Sequence, residues 1–355
     1  VENIQDYGIK TIYNIMGNLS IGVGAPKTER GYILIGAHRH TWSAGGADPE
    51  SGTTVILEIL RALKFLQDTY AWLPKTNIVF ASWDAEEYGL IGSTAYGSTH
   101  AKDLQSNALA YLNVDTACSG SALDVQSSPL LNEIIKKSLA RVSYPKDPSM
   151  NLYEHYYGAN ERIGSLGSGS DYTVFLEHLG IPSLDIGFAP GLEDPAYHYH
   201  SNFDSYYWMS TFQDPDYKYH NAISQVLGSI LLELSENELV QFKTYEYFEL
   251  IDNFFYEIAN EVPEEWYSYV PEIEAEVLGK KGGCHMKGKK YGKKHHKKEM
   301  EEVDEDAKNE KKEKKTAKEE KHALKIKENK DQKVHESGKK GKKGKKPHKG
   351  KKPHK

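Results

Sequence analysis

The sequence predicts an α/β fold whose central sheet is mostly parallel, with helices on both faces of the sheet. Short apolar runs, typical of strands buried on both sides, recur between about residue 30 and residue 190. Segments whose apolar residues repeat at helical spacing lie between them, and turns rich in Gly and Pro separate the two kinds of segment. Strands that alternate with helices favour a parallel sheet covered on both faces.

Three of the predicted strands lead directly to residues that can carry chemistry. The first ends at His38, the second runs into the acidic segment that begins at Asp84, and the third ends at Asp115. In open α/β sheets, ligands bind beyond the carboxyl ends of the strands, so these side chains should meet at one edge. The predicted strands cover residues 32–37, 76–83, 108–114 and 181–188.

The predicted helices follow from apolar spacing and from capping residues. After the turn GGADP, apolar residues recur every three or four positions from Val55 to Leu66. Asp84 could cap a further helix that begins near Glu86. The last two helices are long and amphipathic. The predicted helices cover residues 51–66, 129–142, 171–179, 217–234 and 245–259.

The charge of the chain divides it into two unlike regions. Residues 1–279 hold 15 Lys and Arg against 38 Asp and Glu, whereas residues 280–355 hold 30 against 13. The second region has almost no apolar residues, so we expect a disordered tail. Its lysines would bind polyanions nonspecifically. Apart from Tyr291 it lacks interleaved aromatic residues, so no specific nucleic-acid partner is predicted.

Cysteine content and hydropathy exclude several classes of protein. The two cysteines, Cys118 and Cys284, lie in different regions and provide neither a disulfide framework nor a cysteine zinc site. No apolar run reaches the roughly 18 residues of a membrane span, and no signal-peptide pattern opens the sequence. Because the chain starts at Val1 rather than Met, we expect a fragment or a processed form. Asn18 begins a glycosylation acceptor triplet.

Six His, Asp and Glu side chains have the composition that a pair of zinc ions requires. Two such ions need one shared carboxylate, an imidazole and a carboxylate each, and a free carboxylate to handle the proton of water. Taken singly, each residue has a structural explanation, such as a core histidine, a turn aspartate or a helix cap. Their joint occurrence in this order favours the metal site. The six residues are His38, Asp48, Glu86, Glu87, Asp115 and His200.

Long motifs that contain these residues carry a resemblance to a known family. Residues 12–266 resemble glutamate carboxypeptidase II and its relatives, a zinc exopeptidase family that includes the transferrin receptor. The matching segments are GAHRHTW, GGADPESG, VFASWDAEEYGLIGST, AYLNVD, RIGSLGSGSDYTVFLEHLGIPS and YHSNFD. The resemblance implies a zinc peptidase domain over residues 1–235, followed by a partial helical, dimerisation-like segment over residues 236–279. The tail, residues 280–355, diverges from the family.

The resemblance also implies a role for each site residue. His38 and Asp115 would bind one zinc, Glu87 and His200 the other, and Asp48 would bridge the two. Glu86 matches the general base of the family, and Tyr199 matches a tyrosine that hydrogen-bonds the tetrahedral intermediate. Ser168 and Gly169 match residues that line the substrate cleft, where exposed amides suit an oxyanion or a peptide carbonyl.

Several positions depart from the family pattern. His40 stands where the family has an aspartate that orients the zinc histidine, and its neutral imidazole would have to accept that hydrogen bond. Ala95 and Ser98 replace calcium-binding carboxylates, so no calcium is expected there. Residues 184–197 contain no Arg or Lys, which removes the arginine patch that favours acidic substrates. The relatives' apical protease-associated domain and membrane anchor would precede Val1.

The sequence therefore predicts a two-zinc metallo-exopeptidase that hydrolyses small peptides. The alternative, from a different class, is a weak or inactive receptor or trafficking protein on the same fold. We prefer the enzyme because a relative that had abandoned chemistry would have no reason to keep all five ligands and the base. The resemblance implies a lumenal or extracellular peptidase domain in the secretory pathway, in a vacuole or lysosome, or at the cell surface.

Overall fold

The computed structural model describes residues 8–20, 31–159, 162–237, 240 and 242–263. Within these residues a six-stranded sheet has the order β1-β3-β2-β4-β6-β5. Its four inner strands pair in parallel, and β1 and β5 are antiparallel edge strands. The strands are β1 (Ile15–Leu19), β2 (Tyr32–His38), β3 (Asn77–Trp83), β4 (Ala108–Asn113), β5 (Ala122–Ser127) and β6 (Ser183–Ala189). The four inner strands are those that the sequence predicts, and the mostly parallel sheet is confirmed.

The inner strands form because both of their faces are buried. In β2, Ile33 and Ile35 pack into an apolar cluster on one side of the sheet, while Leu34 packs with Trp83 and Tyr111 on the other. Successive side chains of a strand point to opposite faces, so a continuous apolar run suits a sheet that is covered on both sides.

Helices cover both faces, as the sequence predicts. Helices α1, α4 and α7 pack together on one face, and α2 packs against the π-helical turn 174–178. The helices are α1 (Glu50–Tyr70), α2 (Ile91–Thr99), α3 (Ala101–Asn107), α4 (Asn132–Leu139), α5 (Leu152–Gly158), α6 (Tyr206–Trp208), α7 (Lys218–Glu236) and α8 (Thr244–Glu261). Residues 129–131 form a 3₁₀ turn, and residues 174–178 and 209–213 form π-helical turns.

Helix α1 shows how the sequence specifies this packing. Its buried side chains Val55, Ile56, Ile59 and Leu63 repeat at helical spacing and face the core. Full burial of one such side chain contributes roughly 1.5–3 kcal/mol to folding. The helix ends where Ala71 adopts a left-handed conformation with φ of 53°.

The prediction of a helix that begins near Glu86 is wrong. Ala85 and Leu90 have φ values of 53° and 57°, which a continuous right-handed helix cannot contain. Residues 86–89 therefore form a turn, and α2 begins only at Ile91. The helix predicted over residues 171–179 is present, and its central part is the π-helical turn Val174–His178.

All the described residues belong to one compact unit of the chain, residues 1–263. Helix α8 lies within the predicted helical segment 236–279, and its Glu246 pairs with Lys136 of α4 at 3.2 Å. The predicted tail, residues 280–355, lies outside the described residues. None of the described helices combines the length and the apolar character that a membrane span requires.

Candidate metal centre

Five side chains that the sequence predicts as metal ligands converge at the carboxyl edge of the parallel strands. Three follow strands: His38 closes β2, Glu87 lies in the turn after β3, and Asp115 lies two residues beyond β4. Asp48 lies two residues before the start of α1, and His200 lies in the loop between β6 and α6. The arrangement follows the rule for open α/β sheets, in which sites form beyond the carboxyl ends of strands.

Close backbone packing and left-handed residues help to position these ligands. A side chain at Gly52 would place its Cβ 2.1 Å from the oxygen of Val114 and 2.2 Å from that of Asp115, so only glycine allows α1 to approach β4. His200 is left-handed, with φ of 55°. Such strain in a residue other than glycine is typical of positions held for function.

The first cluster of ligand atoms surrounds the imidazole of His38. Its Nε2 lies 2.9 Å from Asp115 Oδ1 and 3.3 Å from Asp48 Oδ1. All three side chains are largely shielded from solvent: His38 is 1 % exposed, Asp48 5 % and Asp115 17 %.

The second cluster surrounds the imidazole of His200 and uses the other oxygen of Asp48. His200 Nε2 lies 3.1 Å from Asp48 Oδ2 and 3.1 Å from Glu87 Oε2. Asp48 is thus common to both clusters and presents one oxygen to each. The ligand atoms within each cluster lie within 4.8 Å of one another.

These residues fit a pair of zinc ions. Tetrahedral zinc with bonds of 2.0–2.2 Å places its ligand atoms roughly 3.3–3.6 Å apart, close to the distances within each cluster. Asp48 Oδ1 and Glu87 Oε1 are buried and have no hydrogen-bond partner. An unpartnered buried carboxylate oxygen is costly unless a cation binds it.

Glu86 lies beside the first cluster, but it is farther from His38 than Asp48 and Asp115 are. Its Oε2 is 3.7 Å from His38 Nε2. Burial raises the pKa of Glu86 to about 8, and the charges of Asp115, Asp171 and Glu87 add to the effect against the opposing influence of His38. A carboxyl with a raised pKa can exchange a proton near neutral pH.

The residue at position 40 supports His38 through its main chain, which corrects the sequence-based expectation. His38 Nδ1 donates to the carbonyl oxygen of His40 at 2.8 Å, which leaves Nε2 free to bind metal. The imidazole of His40 is not the acceptor. Its Nδ1 is buried without a partner, and its ring lies 5.0 Å from the ring of Tyr88.

We therefore expect His40→Ala to change zinc affinity by less than about threefold, because the acceptor is a main-chain atom that the substitution retains. Competition with a chromophoric chelator would measure the affinity of each site. A loss of about tenfold or more, the range seen when an outer-sphere partner of a zinc ligand is removed, would restore the role of the imidazole.

Other residues that support the ligands were not singled out by the sequence analysis. Ser170 Oγ donates to Asp115 Oδ2 at 2.6 Å and accepts from Asn113 Nδ2 at 3.0 Å. Asp204 accepts from the backbone N–H groups of Ala47 and Asp48, at 2.6 and 3.0 Å. Two features of the sequence could have indicated these residues. Asn113 is a polar residue in an otherwise apolar strand, and Asp204 lies in the YHSNFD motif.

The residues that the sequence places around the substrate are only partly brought together. Tyr199 and Gly169 line a cavity of about 250 Å³ beside Asp48 and Asp115. The ring of Tyr199 stacks on His200, with centroids 3.6 Å apart. Ser168 is exposed and does not line that cavity. The amide of Gly169 donates to Thr173 Oγ1 at 3.4 Å, and its role as an oxyanion donor stays a prediction.

The loop after β6 is held by Asp194. Asp194 accepts from the N–H groups of Ser121 and Gly191, at 2.5 and 2.7 Å, and Lys146 Nζ lies 3.6 Å away. Burial opposes ionisation, but these hydrogen bonds and Lys146 hold the pKa of Asp194 below its usual value. Asp194 therefore anchors the loop, and it is not among the residues that line the cavity.

Asp194→Asn should lower the free energy of unfolding at pH 7 by about 1–3 kcal/mol, because a charged acceptor of several hydrogen bonds is lost. A carboxylate with a lowered folded-state pKa stabilises the protein above its unfolded pKa of about 3.9, and this contribution is lost as the pH falls through the folded pKa. Urea denaturation should therefore show a smaller difference from the unsubstituted protein near pH 3. The exposed neighbour Glu193, changed to Gln, is the control. An equal effect of both substitutions would contradict the anchoring role.

Comparison with known proteins places the chain in a family. The model of peptidase family M28 matches residues 14–222. The probable glutamate carboxypeptidase LAMP1 of Arabidopsis thaliana is 38 % identical over 252 residues, which cover 70 % of this chain and 36 % of that protein. The aminopeptidase NAALADL1 of Mus musculus is 34 % identical over 261 residues, covering 69 % and 34 %.

A third relative is named for protein sorting rather than for peptidase activity, and it has the same percentage identity as the Arabidopsis protein. The vacuolar protein sorting-associated protein 70 of Saccharomyces cerevisiae is 38 % identical over 247 residues, covering 68 % of this chain and 30 % of that protein. The chain thus spans about a third of the length of these relatives. The family match covers more than half of the chain, including β1 to β6 and all five predicted ligands. The chain therefore belongs to peptidase family M28.

Proposed function

We propose that this chain is the catalytic part of a metallo-exopeptidase that holds two zinc ions and hydrolyses small peptides. The observation that carries the proposal is the position of Asp48, whose two oxygens face different imidazoles, His38 and His200. His38 and Asp115 would hold one ion, Glu87 and His200 the other, and Asp48 would bridge them. When bound, such ions polarise a peptide carbonyl and acidify water.

The remaining groups at the site supply proton transfer and orientation. Glu86 takes a proton from the attacking water and passes it to the leaving amine, as its position beside the ligands and its raised pKa support. Tyr199, whose ring stacks on His200 at the wall of the cavity, can donate a hydrogen bond from its hydroxyl group to the developing oxyanion. Three further groups hold the ligands in place: the carbonyl oxygen of His40, the hydroxyl of Ser170 and the carboxylate of Asp204.

Neutral or apolar peptides should be better substrates than acidic ones. Asp124 and Asp185 line the cavity beside the site, and no described residue that lines it is Lys, Arg or His. An acidic side chain would meet like charges there, which disfavours binding.

The test of the proposed function combines metal content with activity. The purified protein should contain close to two zinc ions per chain and should hydrolyse members of a dipeptide panel. A chelator should abolish the activity, and added zinc should restore it. A folded protein that binds no zinc and cleaves no peptide would instead support the receptor or trafficking alternative.

Assembly and location are also proposals. Four exposed apolar residues of α8, Phe248, Ile251, Phe255 and Ile258, repeat with the 3-4-3 spacing of a helix–helix contact, which supports a homodimer through this segment.

A vacuolar or secretory location is supported by the name of the yeast relative. The exposed position of Asn18 on β1 is compatible with a glycan.

A further inference from the structure

The turn that carries Glu86 and Glu87 has a strained main chain. Ala85 and Leu90, which lie on either side of the two glutamates, have left-handed φ values of 53° and 57°. Residues other than glycine keep such conformations only where surrounding contacts fix them. The side chain of Glu87 does not supply these contacts in full, because its Oε1 is buried without a hydrogen-bond partner. Contacts to the main chain of the turn must therefore help to hold the two carboxylates in place.

The two ends of this turn, Asp84 and Gly92, are joined by a main-chain hydrogen bond. The N–H of Gly92 donates to the carbonyl oxygen of Asp84 at 3.1 Å. A Cβ atom at Gly92 would lie 2.3 Å from that oxygen and 2.5 Å from Asn14 Oδ1. Asn14 is thus packed directly against the base of the turn, although 70 to 78 positions separate it from these residues in the chain.

The carboxamide of Asn14 bridges the same two residues. Its Oδ1 accepts from the N–H of Asp84 at 3.1 Å, and its Nδ2 donates to the carbonyl oxygen of Gly92 at 2.8 Å. Together with the main-chain bond, three hydrogen bonds therefore close the turn at its base. An amide side chain suits this position because it is both a donor and an acceptor, whereas an ionised carboxylate only accepts.

Edge strand β1 brings Asn14 to this point. β1 pairs with β3 in antiparallel fashion, and Ile15 lies opposite Ser82. Asn14, one residue before β1, therefore lies beside the end of β3, where the turn begins. The neighbouring Tyr13 strengthens the contact, since its N–H donates to Asp84 Oδ2 at 2.8 Å. The edge of the sheet is thus connected to the turn that carries the two glutamates.

Arg39 adds a second link between the same segments. Its guanidinium lies 3.2 Å from Asp84 Oδ2 and donates to the carbonyl oxygen of Tyr13. Asp84 Oδ1 accepts from the N–H of Ala85, the first left-handed residue of the turn, at 2.9 Å. Arg39 therefore fixes one end of the turn, whereas Asn14 contacts both ends.

We propose that Asn14 is a positioning residue for the proposed reaction. By closing the turn at its base, it directs Glu86 and Glu87 into the site. The inference rests on the proposed peptidase function, in which Glu86 is the base and Glu87 is a zinc ligand. Asn14 contacts neither of these side chains, so it acts through the main chain of the turn.

This role predicts an unequal effect on the two zinc ions. Glu87 lies in the turn, whereas His38 and Asp115 follow from β2 and β4. Asn14→Ala should weaken the ion of Glu87 and His200 about tenfold to a hundredfold, the range for lost support behind a metal ligand. The other ion should change by less than about threefold. Competition with a chromophoric chelator measures both affinities, and the substitution should have little further effect in a Glu87→Gln background.

Kinetics and hydrogen exchange give two further measurements. At saturating zinc, kcat of Asn14→Ala should fall about tenfold to a hundredfold while KM changes by less than about threefold, because a catalytic group displaced by about 1 Å has an effect of this size. The N–H groups of Gly89, Leu90 and Gly92 are hydrogen-bonded within the turn. A peptide fragment that covers the turn should therefore exchange its amide hydrogens at least about tenfold faster in the variant, whereas a fragment that covers β4 should be unchanged.

Two other variants complete the experiment. Asn14→Asp keeps the size of the side chain and the acceptor for the N–H of Asp84 but removes the donor to Gly92, so it should show the same pattern. Asn18→Ala is the matched control, because Asn18 is an exposed asparagine on β1. It should leave zinc affinity, kcat and exchange in the turn unchanged.

The outcomes separate failure of the inference from failure of the proposed function. Equal weakening of both ions, or unchanged exchange in the turn, would overturn the positioning role of Asn14 while the unsubstituted protein still binds zinc and cleaves peptides. Failure of both Asn14 variants to fold, with a folded Asn18→Ala protein, would also overturn it, because Asn14 would then serve the whole fold. An unsubstituted protein without zinc and without activity would refute the proposed function, and with it the catalytic meaning of faster exchange in the turn.

Discussion

Asp48→Asn should abolish tight binding of both zinc ions, not only one. The substitution keeps the volume of the side chain but removes the negative charge that faces His38 through Oδ1 and His200 through Oδ2. An amide offers one oxygen and one N–H₂ group, and the N–H₂ group cannot bind a cation. Each ion would therefore lose charge compensation, and one would lose a ligand atom outright. We expect metal content to fall from about two ions per chain to near zero after dialysis against a weak chelator.

The control is Asp216→Asn, since Asp216 is an exposed aspartate, 73 % accessible, that pairs with Lys218 away from the ligands. Metal content by elemental analysis and unfolding by circular dichroism should be measured on the same samples. A folded Asp48→Asn protein that retained two tightly held ions would show that Asp48 is not the bridging ligand. Retention of one ion would show that it belongs to a single site.

The inner part of the fold could be predicted because its signals are local. The strands β2, β3, β4 and β6 come from short segments rich in apolar residues, and α1 and α7 carry regular apolar spacing. The edge strand β1 could not be found in this way. Its five residues are exposed or only half-buried, and its existence depends on antiparallel pairing with β3, a contact that joins residues 59 to 67 positions apart in the chain.

The start of α2 shows a second limit of local reasoning. Asp84 followed by two glutamates reads as a helix beginning, since acidic residues favour the first turn. In the structure, left-handed Ala85 interrupts the helix and turns Glu86 and Glu87 into the site. The geometry of the candidate site overrides the local preference here, and such conflicts are expected at functional sites.

The candidate site was predictable in its ligands but not in its supporting atoms. His38, Asp48, Glu87, Asp115 and His200 were chosen by residue type and position, and the structure brings all five together. The acceptor for His38 proved to be the carbonyl oxygen of His40, a main-chain atom that every residue type provides. The sequence shows only which side chains are present, so the role was predicted for the imidazole of His40.

A substitution at Glu86 can show whether this residue acts as a general base or as a metal ligand. Glu86→Gln removes the proton acceptor and keeps the shape of the side chain, so we expect kcat to fall at least about 10²-fold while zinc content stays near two ions per chain. Glu87→Gln is the matched comparison, because Glu87 is the adjacent carboxylate and lies 3.1 Å from His200 Nε2. It should lower the zinc content together with the activity.

The contrast between these two variants matters because Glu86 can also be grouped with His38 and Glu87 as a potential metal cluster. Distance favours the base, since Glu86 Oε2 lies 3.7 Å from His38 Nε2, whereas the oxygens of Asp115 and Asp48 lie at 2.9 and 3.3 Å. Parallel loss of zinc and activity in Glu86→Gln would make Glu86 a ligand and leave the proton transfer without a carboxylate. Retained zinc with little loss of kcat would show that another group accepts the proton. Loss of kcat with zinc retained is the outcome that only a base beside an intact metal centre produces.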